Sequence, residues 1–452
     1  MSNESLAATP RRIAVVGSGI AGLSAAWLLA TRHQVTLFEK QTSLGGHSNT
    51  VEVEDHGQQI PIDTGFIVYN ARNYPNLVAL FAHLGVPTTP SDMSFAASLR
   101  GGDLEYSGTN LRGLCAQPTN LLRWRFWQML RDLRRFYAEA PAYLRGPAGP
   151  LSIGELLTRQ HYSAAFCEDH LWPMAGAIWS ASTRDIRDYP ARAFIEFFAN
   201  HGLLQLANRP QWRTVQGGAR EYVKRLRTAM PATITHQAVL RIERLPTHVV
   251  LHTAAGRAQS FDQVVIATHA DQALRLLAEP SADERRWLAA FRYSRNTAFL
   301  HEDIGLMPRR RRAWASWNAL AAGTDGPQSE RCVTYWMNRL QPLATRRQFF
   351  VTLNPPHAPA TALTRYTTAY EHPQFNQHTL AAQGALWRLQ GVQRTWFCGS
   401  YFGYGFHEDA LQAGLLVAEQ LGGVRRPWPM PAAASRIQLP PNADTAALAN
   451  AA

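Results

Sequence analysis

Residues 11–40 read RRIAVVGSGIAGLSAAWLLATRHQVTLFEK. The β-branched run RIAVV has the composition of a short buried strand, GSGIAG that of a turn, and LSAAWLLA that of a helix. In this order Gly17 permits the tight turn, Gly19 lets backbone approach a pyrophosphate, and Gly22 lets helix and strand pack closely. The phosphates then lie at the helix N-terminus, with Ser18, Ile20 and Ala21 completing the cradle. A second strand, QVTLFE, ends at Glu39, 22 positions after Gly17 and next to Lys40. A carboxylate there accepts hydrogen bonds from an adenosine ribose and repels a 2′-phosphate. The stretch predicts a Rossmann-like βαβ unit holding an ADP group, and leaves FAD and NAD both open.

The whole chain, 452 residues at 46% hydrophobic content, is long enough for two or three domains. Its apolar runs fall short of the ~20 residues of a spanning helix. The opening MSNESLAATPRR has no apolar core with a cleavage site, so a cytoplasmic address is expected. Four cysteines without CxxC spacing predict reduced thiols and no metal site. The net charge of +12 comes almost wholly from arginine spread over the chain, since only Lys40 and Lys224 are lysines. Such a balance predicts no nucleic-acid partner and suits an anionic lipid surface or an acidic substrate.

Past Glu39 come TSLGGHSNT and then VEVEDHGQQIPIDTGF, a predicted hairpin turning at His56 and Gly57. Together they resemble the flavin-containing amine oxidase superfamily, which includes phytoene-desaturase-like enzymes. The resemblance implies non-covalent FAD, with Gly45, Gly46 and His47 along the pyrophosphate and flavin. VQGGAREYVKRL (residues 215–226), followed by QAVLRIERL, is similar to the segment that re-enters the FAD domain, and implies backbone contact from Val239 to the adenine. TWFCGSYFGYGFHEDALQAGLLVAEQL is similar to the C-terminal flavin motif: a strand to Cys398, a Gly399 turn, then a helix from near Asp409. Asp409, Ala410, Leu411 and Gln412 are implied at its N-terminus, Leu411 and Gln412 offering backbone N–H groups to the flavin, whose reduced form the helix dipole would stabilise. Where the superfamily holds the ribityl chain with a carboxylate, Ser400 stands here, so that either Ser400 makes a weaker bond or Glu408 or Asp409 substitutes. Cys398 reads as a small buried strand residue.

The fold class expected is α/β: a Rossmann-like FAD-binding domain of the glutathione-reductase and amine-oxidase type with an inserted α+β substrate domain. The FAD pieces are placed at 11–95, 208–290 and 391–425. The substrate domain takes the helix-rich 96–207 and the segment 291–390, whose runs NTAFLH, AWASWN, CVTYWMN and QFFVTLN suit an antiparallel sheet. Residues 1–10 and the Pro/Ala-rich 426–452 are expected to be disordered. In residues 120–137, Leu122, Phe126, Met129, Leu130, Leu133, Phe136 and Tyr137 fall on one helical face, to be covered by core or by an anionic membrane.

A flavin performs hydride and electron chemistry itself, and the protein orients it. Many amine oxidases of the superfamily carry a lysine bridged by water to the flavin. Here Lys40 adjoins the ribose carboxylate and Lys224 follows Gly217 and Gly218, so dehydrogenation, desaturation or isomerisation is expected rather than fast reaction with oxygen. Substrate candidates are aromatic: Phe66 and Tyr69, Trp172 and Trp179, and Tyr335 and Trp336 with Asn338. Tyr401, Tyr404 and His407 lie between flavin-binding elements and are the catalytic candidates, His407 as acid or base because imidazole exchanges protons near neutral pH.

The runs GGHSNT, DTGFIVYN and GSYFGYGFHEDALQAG look most like bacterial NAD/FAD-binding proteins related to the extra N-terminal domain of plant cyclopropane-fatty-acid synthases. That likeness implies an FAD-dependent dehydrogenase or desaturase of a methylated or cyclopropanated phospholipid acyl chain, peripheral on the inner membrane face, with a lipid-methylating enzyme as partner. An amine oxidase, or a non-catalytic flavoprotein that docks a lipid-modifying enzyme, remains open at this level.

Overall fold

The computed structural model describes residues 9–146, 149, 151–179, 182–205, 209–321, 332–430 and 434–439. The opening stretch folds as its pattern requires. Strand Arg12–Val16 is flanked by Gln34–Phe38 and Gln263–Ile266 in a five-stranded parallel sheet, with Thr233–Thr235 and Thr395–Phe397 at the edges. Val15 faces Leu37 on one side and Val265 on the other, all fully buried. Such double-sided burial explains the unbroken apolar run in place of an alternating one.

Helix Ile20–Leu29 is buried at every position. It packs on the C-terminal helix His407–Gly422, and the approach is so close that a Cβ on Gly414 would stand 2.2 Å from the Ala21 carbonyl oxygen. The hairpin Thr50–Asp55/Gln58–Asp63 turns at His56 and Gly57, with φ of +49° and +78°. Two positive φ values in a two-residue loop match the right-handed twist of the strands they join.

A seven-stranded sheet lies beside this unit, in the order Thr364–Gln374, Arg292–His301, Phe350–Leu353, Cys332–Trp336, Trp317–Leu320, Phe95–Leu99, Leu104–Ser107. Every pair is antiparallel except Trp317–Leu320 with Phe95–Leu99. The first dozen residues of the segment expected to be helix-rich are therefore strand. Phe95, Ala97 and Leu99 alternate with Ala96 and Ser98, a period of two rather than 3.6. The helices follow, among them Trp124–Arg145, Trp172–Trp179 and Ala191–Asn200. In the first of these Phe126, Met129 and Phe136 are buried as expected, but Leu122 is 88% exposed. It belongs to the preceding 3₁₀ turn Pro118–Leu122, which breaks the helical register.

The tail departs from the expected disorder. Arg426 forms a two-pronged pair with Glu419 (2.7 Å on each arm) and donates to Asn76, while Trp428 stacks on Trp27 at 6.0 Å. Arg436 pairs with Asp409 at 3.3 Å, and Ile437 is buried. Composition predicted a free chain, but a few anchors suffice to pin its described residues against the body. Residues 1–8 and 440–452, also expected to be disordered, lie outside the described residues. Among the described residues no helix is long and apolar enough to cross a membrane.

Candidate active site

A cavity of about 1180 Å³ runs between the parallel sheet and the seven-stranded sheet. Pockets for single small ligands occupy about 300–1,000 Å³, so this one has room for a dinucleotide and a second molecule. One end is built from backbone. Gly17 (φ +101°), Ser18, Gly19, Ile20 and Ala21 line it, and Gly19 caps the following helix without a side chain, leaving first-turn N–H groups open. Gly22 does not line the cavity. A Cβ there would stand 1.8 Å from the Gly17 carbonyl oxygen, so its absence is what lets the turn close.

Glu39 accepts from the Ser18 N–H (2.9 Å) and hydroxyl (2.6 Å) and from Gln41 N–H (2.9 Å). Its carboxylate is thereby fixed at the cavity wall with Lys40, and Val239 lies at the same end. Gly45 and Gly46, at φ +114° and +55°, fold back over the first turn: Gly45 N–H donates to the Ser18 carbonyl at 3.0 Å, and a Cβ on Gly46 would touch Gly19 Cα at 3.3 Å. This is a cradle for a pyrophosphate with a ribose beyond it.

Midway along the cavity, imidazoles gather. His47 lies 5.0 Å from the Tyr370 ring, 5.7 Å from His372 and 6.4 Å from His269. Burial, then the neighbouring imidazoles of His372, His269 and His407, push His47 down to about 3, and burial holds His372 near 4. All are neutral at physiological pH. His269, Tyr370, Glu371 and His372 escaped the sequence reading. Tyr370 and His372 carry a signal in the two-residue period of Tyr366, Thr368, Tyr370 and His372 in TRYTTAYEHPQ, which sets one face of the strand against the cavity; His269 precedes the helix Ala270–Leu276 and Glu371 falls out of that period. Asn49, beside the glycine pair, ties that strand down by donating to the Tyr370 hydroxyl at 3.0 Å.

His407 lines the cavity, stacked on Phe66 at 4.0 Å and 9°. Its Nε2 is 2.8 Å from the Tyr222 hydroxyl, which in turn bonds Ser48. Burial pushes its pKa down to about 3. The expectation of proton exchange near neutral pH therefore needs correction: His407 is a neutral imidazole in a hydroxyl chain, fit to hold or pass a proton but not to store one as imidazolium. Tyr401 and Tyr404 also line the cavity, and burial raises both phenols above their ordinary range, so both stay protonated.

The C-terminal helix begins at His407, two residues before the expected Asp409. Ala410 N–H already bonds the Phe406 carbonyl, so Leu411 and Gln412 lie past the free N–H groups of the first turn and cannot offer theirs to a ligand. Asp409 accepts from Phe406 N–H at 2.8 Å and pairs with Arg436. Glu408 is buried against Asn76 and Leu77, where it caps the helix Pro75–His83. Neither carboxylate reaches the cavity, and Ser400, Gly399 and Ala410 do. Cys398 is fully buried outside the cavity lining.

The far end is aromatic. Phe66, Trp179 and Tyr335 line it as expected, joined by Tyr137, Phe197, Trp212 and Trp317. Four expected residues are elsewhere, each used up by local structure. Tyr69 packs edge-on to Tyr74 and Phe81, Trp336 donates to Gln348 at 2.8 Å, and Asn338 braces the Arg347 carbonyl and Phe349 N–H. Trp172 is buried without lining the cavity.

FAD fits this arrangement. His47 Nε2, Tyr401 hydroxyl, Trp179 Nε1 and Gln237 Oε1 are buried along the wall with no protein partner, and each such group costs about 1–3 kcal/mol unless a ligand or water meets it. Of these, His47 directly follows the Gly45–Gly46 turn of the glycine cradle, which side chains would fill.

The fold is shared widely. A CLA-producing fatty acid isomerase from P. acnes matches with a TM-score of 0.64 at 14% identity, over 91% of this chain and 98% of that one. Cyclohexylamine oxidase from Brevibacterium oxydans IH-35A matches with 0.62 at 17%, over 91% and 99%. Among curated proteins, the carotenoid phi-ring synthase of Chlorobaculum tepidum is 42% identical over 91 residues, 20% of this chain and 13% of that protein. The L-amino-acid oxidase of Pseudechis australis is 53% identical over 49 residues, 11% and 10%. The chain thus spans only about a tenth of the length of these curated relatives. The family model of flavin containing amine oxidoreductases matches residues 20–300, more than half of the chain; this chain belongs to the flavin-containing amine oxidase family.

Proposed function

We propose that this flavoenzyme dehydrogenates an apolar chain, of the class of a methylated or cyclopropanated phospholipid acyl group. The observation that carries the reading is the far end of the cavity: its walls are chiefly aromatic and aliphatic, its histidines neutral, and the charge beside Tyr137 is the Arg209 guanidinium rather than a carboxylate. Among the described lining residues the only carboxylates are Glu39, at the ribose position, and Glu371, engaged by His269 at 3.2 Å. An ammonium substrate would find little there to replace its water. The only lining lysine is Lys40, at the dinucleotide end, and Lys224 pairs with Glu221 on an outer helix.

Bound FAD supplies a two-electron acceptor. The chain's residues do the rest. The aromatic walls exclude water and align the hydrocarbon. Desaturation removes a hydride and a proton from adjacent carbons, and His407, hydrogen-bonded through Tyr222 to Ser48, is placed to pass the proton along that hydroxyl chain rather than to keep it. The electrons then leave to an external acceptor, for which a quinone-like molecule is the class expected. The test is incubation of the flavin-loaded protein with methylated-chain phospholipid and an artificial electron acceptor, followed by mass spectrometry of the acyl chains. The reading predicts chains short of two hydrogens; unchanged chains with normal flavin content would overturn it.

A further inference from the structure

Half of the large hydrophobic side chains exposed among the described residues fall within residues 111–127: Leu111, Leu121, Leu122, Trp124 and Trp127. Leu111 is 79% and Trp124 72% exposed. They are not the frayed edge of a core. The helix Trp124–Arg145 buries its other face through Phe126, Met129 and Phe136, and Trp127 Nε1 donates to the Leu121 carbonyl at 2.8 Å, which locks the display outward.

A cationic run lies beside them. Residues 309–312 are four consecutive arginines. Both segments hang from the tip of the hairpin Phe95–Leu99/Leu104–Ser107. Buried Glu105 accepts from Arg309 N–H (2.7 Å), Arg310 N–H and Arg310 Nη1 (both 3.0 Å). On the same tip, Asp103 holds Arg123 and the Glu105 carbonyl accepts from Asn120, next to Leu121 and Leu122. Among the described residues Arg112, Arg309, Arg311 and Arg312 have no carboxylate partner, whereas the acids on this face, Asp103 and Glu168, are already taken by Arg123 and Arg125. The patch is therefore apolar with an unneutralised positive rim.

We propose that this face docks onto an anionic lipid bilayer. Trp and Leu side chains favour the boundary between headgroups and acyl chains, and guanidinium groups meet lipid phosphates there. The same helix connects the patch with the cavity: Tyr137, ten residues after Trp127 and so about 15 Å along the axis, forms part of the cavity wall. A bilayer on this face would bring acyl chains within a helix length of the aromatic end. The docking geometry does not depend on the substrate reading, and either can fail alone.

The test is co-sedimentation of the full flavin-loaded chain with vesicles of phosphatidylcholine alone or mixed with phosphatidylglycerol. The wild type should sediment with the anionic vesicles, release in high salt, and stay in solution with the neutral ones. The pairs Leu122→Ser/Trp124→Ser and Arg311→Glu/Arg312→Glu should each lower partitioning at least about tenfold, with flavin content and melting temperature unchanged because these side chains are exposed. Wild type that ignores anionic vesicles, or variants that bind as well as it does, would overturn the proposal. So would a wild-type dimer that Leu122→Ser/Trp124→Ser dissolves, since the patch would then serve a second copy of the chain.

Discussion

The two ends of the cavity are built from different material. The dinucleotide end comes chiefly from one stretch, residues 17–46, and works through backbone: positive-φ glycines, open N–H groups and a single carboxylate. The aromatic end collects side chains from segments hundreds of residues apart, Phe66, Tyr137, Trp179, Trp212 and Tyr335 among them. A family can keep the first constant while varying the second, because one serves a shared cofactor and the other the individual substrate. Changes at the two ends should accordingly separate cofactor binding from substrate handling.

The largest effect is expected at Gly22, where Gly22→Val would drive Cβ into the Gly17 carbonyl. The variant should purify without flavin, as read from its visible spectrum; full flavin content would show that the close turn is not needed. At the other end, Trp179→Ala removes a ring packed on Tyr189, Phe194 and Phe197 at 4.7–5.4 Å. It should cost about 3–5 kcal/mol of stability in denaturant titration yet keep one flavin per chain. Loss of flavin in parallel would mean the ends are not separable.

The next effect is on pH. His47 and His407 are held near 3, and His372 near 4, below their unfolded value near 6.5. Below about pH 6.5 the unfolded chain takes up protons that the folded chain refuses, so stability present at neutral pH is lost on acidification. Asp63 works the other way. Burial raises it to about 7, so its contribution, full in acid, fades as pH rises through 7. The melting temperature should rise from acid pH to a plateau near neutrality because the buried imidazoles outnumber this carboxyl, and Asp63→Asn should steepen that rise between about pH 4 and 7. A melting temperature that climbs below pH 6 would contradict the neutral histidine cluster. The smallest effect is Glu39→Gln, which weakens charge-assisted bonds at the ribose position; FAD affinity should drop about tenfold in a titration of the apoprotein, with little change in its melting temperature.

The same contrast governs what the sequence revealed. Gly17, Gly19, Glu39, Gly45 and Gly46 were legible because backbone requirements leave fixed spacings within one short stretch. Phe66, Trp179 and Tyr335 were found by composition, and Tyr69, Trp336 and Asn338 were misplaced by the same criterion, since an aromatic or amide side chain looks alike whether it lines a cavity or braces a loop. His372 was missed although its strand carries a clear alternation, because alternation says which residues share a face but not what that face meets; His269, which precedes the helix Ala270–Leu276, has no such pattern around it. The start of the last helix slipped by two residues, enough to misassign Leu411 and Gln412. The tail was misread because its composition is that of a free chain, whereas Arg426 and Trp428 anchor it through partners far away in sequence.

The most direct test of the account is anaerobic mixing of the flavin-loaded protein with methylated-chain phospholipids and, separately, with simple alkyl amines, while the flavin absorbance is followed. The account predicts bleaching by the lipid and none by the amines, because the aromatic end offers hydrocarbon contacts and, among the described residues, no carboxylate free to receive an ammonium group. Bleaching by amines with an oxidised flavin in lipid would contradict it.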